Sequence, residues 1–224
     1  MAKFEKANSV GEWLDQRLNL TTFNKVMMTE YWIPKDINFL WAMGVLLATT
    51  FGILVISGLF LMMYYKPDVA LAFDSVNYTI MQEVAFGWLF RHMHGVAASV
   101  VFLIIYIHMF TGIYYGSYKQ GREMIWISGM LLFMTFSAAG FSGYMLPWGQ
   151  MSYWAAMVIT NLFGGVPVIG DALVVWIRGD FNVADATLTR FFMLHVFLLP
   201  ITIMGIIGLH FYTLRIPHVK DRKS

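Results

Sequence analysis

The chain has 224 residues, of which 58% are hydrophobic and only 12% charged, with a mean hydropathy of +0.63. That balance is too apolar for an ordinary soluble domain and puts the chain in lipid. Cysteine is absent, which excludes disulfides, cysteine-held zinc or iron–sulfur centres and any thioether-linked group within this sequence.

Residues 1–35 are polar and of mixed charge, do not read as a signal peptide, and include an amphipathic stretch at 11–20 suited to the membrane surface. Four apolar stretches follow at 37–65, 84–115, 124–146 and 188–214, each longer than the ~20 residues that a helix needs to cross a bilayer core. Between the third and fourth, Gly164, Gly165, Pro167 and Gly170 break residues 147–187 into apolar pieces too short to cross. Those pieces predict surface helices. The expected fold class is all-α: an integral membrane four-helix bundle over 37–214, with an interfacial segment (1–36) before it and a polar tail (215–224) after it. Charge gives the orientation. The amino-terminal segment (Lys3, Lys6, Arg17, Lys25, Lys35), the second loop (Lys119, Arg122) and the tail (Arg215, Lys220, Arg222, Lys223) hold eleven of the fifteen Lys and Arg. The first and third loops hold only Lys66 and Arg178. Both termini are therefore expected in the cytoplasm.

Histidine carries the chemistry. His94 and His108 are fourteen residues apart on the second span, and His195 and His210 are fifteen apart on the fourth. On a regular helix those spacings leave the members of each pair about 40° and 60° from alignment, and each pair extends about 21–22 Å along its axis. The second and fourth spans run in the same direction, so His94 lies level with His195, and His108 with His210. Two facing pairs at two depths make two bis-histidine sites, each able to clamp the iron of a flat macrocycle from both sides. His92 is sixteen residues from His108, about 160° round the helix, and is excluded as a ligand. His218, in the polar tail, is excluded too. A single intramembrane histidine is more often an interhelical hydrogen-bonder, but packing alone does not account for two pairs with matched rise, facing and direction. With two ligands per level and no carboxylate nearby, a closed zinc site is short of ligands.

Glycine fits the same picture. Gly44 and Gly58 on the first span, and Gly129 and Gly143 on the third, are each fourteen apart, and these are the two spans without ligands. Side-chain bulk is lost where a macrocycle edge would pass, although small residues at helix contacts are common in membranes. Arg91 and Arg190, each shortly before a histidine near the outer surface, can pair with haem propionates or reach the headgroups.

The segments RHMHGVAASVVFLIIYIH (91–108), GYMLPWGQMSYW (143–154) and LTRFFMLHVFLLP (188–200) strongly resemble cytochrome b of the cytochrome bc complexes, and the similarity runs through nearly the whole chain. The resemblance implies two non-covalent b-type haems. His94 and His195 would ligate the low-potential haem near the outer surface, and His108 and His210 the high-potential haem near the cytoplasm. It assigns Gly44, Gly58, Gly129 and Gly143 to haem packing, and Arg91, Ser117 and Arg190 to propionate contacts. Tyr144, Gly149, Met151 and Ala155 would line an outer quinol-oxidising pocket, and Arg215 would lie beside an inner quinone-reducing pocket. The implied activity is a proton-translocating quinol oxidoreductase of a bacterial inner membrane, working with a Rieske iron–sulfur protein and a c-type cytochrome in a dimeric complex, with no role for nucleic acid.

Three departures shape the expectation. The Pro-Glu-Trp-Tyr motif of longer cytochromes b does not occur. The chain is therefore expected to be the short, split bf-type form or the amino-terminal part of a longer one, a subunit IV-like second half completing it, and the fifteen-residue histidine spacing favours the split form. Ala42 stands where the photosynthetic split form has a cysteine, so no covalently attached haem is expected. Thr111 replaces an arginine common near the inner haem, with Lys119 or Arg122 as substitutes. Two rivals stay open. A diheme anchor of a dehydrogenase or hydrogenase would lack the GYMLPWGQ-type surface helix, and a proton-coupled transporter would use paired histidines as a relay.

Overall fold

In a chain this apolar every backbone N–H and C=O must be satisfied within the protein, which leaves helices as the economical solution. The computed structural model describes residues 7–25, 29, 38–119 and 121–221, with backbone only from 216 onward. Lys3, Lys6, Lys35, Arg222, Lys223 and the expected start of the first span at Ile37 lie outside the described residues, as do the side chains of His218 and Lys220. The described part is helical throughout, without strands.

A short amphipathic helix, α1 (Val10–Leu18), is capped by the Ser9 hydroxyl, which accepts from Glu12 N–H, and leads through Asn19 into α2 (Leu20–Asn24). Asn38 then caps a 3₁₀ turn, Phe39–Ala42, that opens into α3 (Met43–Met62). The next long helices are α5 (Gly87–Tyr114) and α6 (Glu123–Met145). Before α5, α4 (Ala72–Asp74) widens into π-turns over Ser75–Glu83. After α6 come α7 (Gln150–Leu162) and α8 (Gly170–Arg178), and α9 (Asp185–Met193) continues through Leu194–Leu198 into α10 (Leu199–Asp221). Four of these helices are long and apolar enough to cross a membrane: Phe39–Met62, Gly87–Tyr114, Glu123–Met145 and Asp185–Arg215. The all-α, four-span integral membrane fold expected from the sequence is the fold observed.

The bundle is two antiparallel pairs, α3 against α5 and α6 against α10. Lipid tails are as apolar as leucine, so such pairs hold by close packing rather than by escape from water. Their shared centre is a layer of Val101, Ile105, Phe136 and Ile203, flanked by Phe51, Leu54 and Phe133. Phe51 and Phe136 meet edge-on with ring centres 5.5 Å apart. Hydroxyls within the spans are turned onto their own helix: Thr49, Thr50, Thr111, Thr135 and Ser137 each donate to a carbonyl four residues back.

The fourth span departs from the regular geometry assumed above. Over Leu194–Leu198 it makes a π-turn in which Leu199 N–H donates to Leu194 O, five residues back. Pro200 follows; it lacks the N–H that Val196 O would accept from, and its ring crowds that carbonyl, so a wider turn relieves both. The π-turn absorbs one residue. Hence the fifteen-residue interval from His195 to His210 is equivalent to the fourteen of His94 to His108, and the 60° offset of an ideal helix does not apply.

Outside the spans, α7 and α8 form a hairpin clamped by Arg178, which is only 5% exposed. Its guanidinium donates to Thr160 Oγ1 at 2.9 Å, Asn161 Oδ1 at 2.8 Å and Phe181 O at 3.1 Å. Thr187 Oγ1 donates to Arg178 O at 2.9 Å and accepts from Ala184 N–H, which closes the start of α9. Tyr65 ties the first loop to the end of α6 by donating to Leu146 O at 2.8 Å.

Candidate functional site

The antiparallel pairing fixes which glycine meets which histidine. Gly44 and Gly58 on α3 face His108 and His94 on α5, and Gly129 and Gly143 on α6 face His210 and His195 on the fourth span. A Cβ at Gly58 would lie 3.2 Å from His94 Cε1, one at Gly129 3.4 Å from His210 Cε1, and one at Gly44 3.8 Å from His108 Cε1. At Gly143 it would overlap His195 Cε1 outright. The glycines give room to the imidazoles themselves as well as to anything lying between them.

Across the bundle His94 faces His195, with ring centres 6.1 Å apart and planes at 80°. Two imidazoles sharing one metal through bonds of about 2 Å place their ring centres roughly 6 Å apart, so the His94–His195 pair, expected on the outer side, is spaced for a single ion between them. At the other level His108 and His210 are near enough to interact electrostatically.

Hydrogen bonds fix the tautomers. Ser57 Oγ donates to Ile53 O at 2.6 Å, so towards His94 Nδ1, 2.9 Å away, it can only accept. Ser128 Oγ likewise donates to Met124 O at 2.8 Å and accepts from His210 Nδ1–H at 2.9 Å. His195 Nδ1–H donates to Ala139 O at 2.9 Å, with Ser142 Oγ more distant at 3.5 Å. With the proton on Nδ1, each of these three rings keeps the Nε2 lone pair for a metal. Among the described residues no cluster of three or more His, Cys, Asp or Glu exists, so a metal here would take two protein ligands and the rest of its coordination from its own macrocycle. Facing imidazoles with bare Nε2 and glycine behind each ring fit a haem at the His94–His195 level, and the other level repeats the two histidines and two glycines.

The family comparison agrees with this donor set. The Cytochrome b/b6/petB family model matches residues 28–217. The chain belongs to the cytochrome b family. It is 48% identical over 202 residues to cytochrome b of Allochromatium vinosum, covering 90% of this chain and 48% of that protein. With cytochrome b of Rickettsia conorii it shares 47% over 210 residues, covering 94% of this chain and 52% of the relative. A chain of a solved hyperthermophilic respiratory Complex III superposes with TM-score 0.79 at 40% identity, over 92% of this chain and 55% of that one. This cytochrome b chain thus spans about half the length of the curated relatives it matches.

The other residues singled out in the sequence take varied positions. Arg91 is half-buried and lies along α5 beside Gly95. Arg190 is exposed and its guanidinium donates to Trp176 O at the end of α8. Ser117 sits in the turn after α5, its N–H donating to Gly112 O. Arg215 is half-buried at the carboxy-terminal end of the fourth span. At the other end, a cleft of about 540 Å³ is lined by Phe73, Trp148, Gly149, Gln150, Tyr153 and Trp154. Of the four residues expected in an outer pocket only Gly149 lines this cleft; Tyr144 and Met151 are exposed and Ala155 is half-buried. Met151, Trp154, Val158 and Leu162 make an uncovered apolar face on α7. His92 turns away from the bundle and donates through Nδ1–H to Trp88 O in its own turn, at 2.7 Å.

The serines escaped the sequence reading. Their signal is there, since a Ser-Gly dipeptide occurs at 57–58, 128–129 and 142–143 on the glycine-bearing helices, with Met43-Gly44 in the fourth place.

Proposed function

We propose that this chain holds two non-covalent b-type haems and forms the cytochrome b core of a quinol oxidoreductase that moves electrons across a bacterial inner membrane. The observation that carries the reading is the outer His94–His195 pair, 6.1 Å apart with Gly58 and Gly143 behind the rings, repeated in its residues at the inner level. When bound, the haems supply one-electron redox chemistry at two depths in the bilayer. His94 and His195 hold the outer one, and His108 and His210 the inner one. Gly44, Gly58, Gly129 and Gly143 leave space for them, and Arg91, Ser117 and Arg190 stand near the two ends of the bundle as polar partners for propionates.

Quinol is oxidised on the outer side, where the cleft by Gly149 together with Tyr144, Met151 and Ala155 contributes part of a pocket. One electron leaves to a Rieske iron–sulfur protein and on to a c-type cytochrome; the other is delivered to quinone on the inner side, beside Arg215. The bare apolar face of α7 suits a second half of cytochrome b, which the relatives' greater length supports. The complex is dimeric, and the Lys and Arg distribution favours cytoplasmic termini. The dithionite-reduced minus oxidised visible spectrum of the purified protein tests the core of the proposal. Two b-type components of different midpoint are expected. A protein without haem bands would instead favour the transporter reading, and two haems with no quinol oxidation in the assembled complex would favour a dehydrogenase anchor.

A further inference from the structure

Three of the four ligand histidines have acceptors for Nδ1–H, a serine and a backbone carbonyl of the facing helix in each case. His94 has Ser57 at 2.9 Å and the Leu54 carbonyl, His210 has Ser128 at 2.9 Å and the Ile125 carbonyl, and His195 has the Ala139 carbonyl at 2.9 Å with Ser142 at 3.5 Å. At His108 the equivalent place before the facing glycine is taken by Met43, which is buried and has no polar atom able to match a hydroxyl. Among the described residues His108 has no hydrogen-bond partner. The hydroxyls are more than helix decoration. Thr49 and Thr50 on the same helix spend their oxygen on their own backbone alone, whereas Ser57 and Ser128 do that and also accept across the helix pair.

An acceptor on Nδ1–H increases the basicity of the opposite nitrogen, and a more basic ligand stabilises the oxidised metal over the reduced one. We propose that Ser57 and Ser128 are positioning residues that hold His94 and His210 with Nε2 towards the iron and lower the reduction potential of the haem each serves, and that Met43 spares His108 this effect. The outer level then has both imidazoles backed by acceptors and the inner level only one. This asymmetry favours electron flow from the outer level to the inner. The inference rests on the haem reading proposed above.

Redox titration of both haems in membranes carrying the assembled complex tests it. Ser57→Ala should raise the outer midpoint alone and Ser128→Ala the inner midpoint alone. Each should change the oxidised-to-reduced equilibrium about three- to tenfold, tenfold being about 59 mV for one electron. Ser57→Thr, which keeps the hydroxyl, should restore the wild-type outer value. Met43→Ser should lower the inner midpoint relative to Met43→Ala, a comparison that isolates the added hydroxyl from the lost thioether. Ser57→Ala with both haems present and unchanged midpoints overturns the proposal. If Ser57→Ala fails to assemble, equal inner midpoints for Met43→Ser and Met43→Ala overturn it just as well. Absence of haem from the wild-type protein would bring down the underlying reading instead, so the two failures are distinguishable.

Discussion

Replacing Gly143 by alanine should damage the outer haem site more than the same change at any of the other three facing glycines. The new Cβ would overlap His195 Cε1 and sit 2.8 Å from Nδ1 and 2.9 Å from Nε2. The ring cannot simply swing aside, because its Nδ1–H is held by Ala139 O and the neighbouring backbone belongs to the π-turn. Overpacking of this kind costs about 1–3 kcal/mol, or roughly five- to 150-fold in haem retention at that level. Gly58 and Gly129, with contacts of 3.2 and 3.4 Å, should lose less, and Gly44, at 3.8 Å, least. Haem content of the four alanine variants, read from reduced-minus-oxidised spectra at potentials that resolve the two components, gives the order directly. Full outer-haem content at an unchanged midpoint in Gly143→Ala, with loss of the inner haem in Gly44→Ala, would refute the reasoning.

His108→Ala or His210→Ala should remove the inner haem and leave the outer one, while His92→Ala, whose ring bonds to its own turn, should keep both; loss of either haem in the His92 variant would reverse the face assignment. Arg178→Ala strands the oxygens of Thr160 and Asn161 inside the α7–α8 hairpin, and with charged hydrogen bonds worth about 1.5–3 kcal/mol it should lower the melting temperature in detergent by several degrees; an unchanged value would mean that the clamp contributes nothing. Burial raises the Tyr65 phenol above its ordinary range. The folded state therefore favours the neutral form, so this contribution to stability is complete below pH ~10 and is lost as pH rises further. Tyr65→Phe should flatten the alkaline limb of a stability–pH curve while costing about 1 kcal/mol at neutral pH, and a limb as steep as wild type would count against the assignment.

The spans and the histidine pairs were legible because two simple periodicities specify them: an apolar run longer than the bilayer core, and ligands spaced by whole numbers of turns. Pro200 was visible too, but a proline can kink a helix, end it or widen it, and the sequence alone does not choose the π-turn found here. Ser57 and Ser128 were hidden for a different reason. A serine in a membrane helix ordinarily satisfies itself on the carbonyl four residues back, as Thr50 and Thr111 do, and its second role appears only when the facing helix brings an imidazole to it. Arg190 donates to Trp176 O at the end of α8, where free carbonyls attract a cation, a contact that the sequence pattern around Leu188–Pro200 does not display. The outer pocket was least legible. Gly149 lines a cleft while Tyr144 and Met151 are exposed, and a run of apolar and aromatic residues on a surface helix does not say which of them line a cavity.

The layer of Phe51, Val101, Phe136 and Ile203 has an electrical meaning. Each of the first three lies seven residues from both histidine levels, or from the glycines facing them. The hydroxyls nearby, Thr50, Thr135 and Ser137, are all spent on their own helix, so among the described residues no hydrogen-bonded chain links one level to the other. With a haem at each level, as proposed, the layer would be the dielectric of a small capacitor between them; a full crossing of the membrane costs about 2.3 kcal/mol per charge per 100 mV. An electron can tunnel through such a slab, whereas a proton would have to travel round it. On the proposed reading, the insulation between the two levels is built from ordinary phenylalanine, valine and isoleucine.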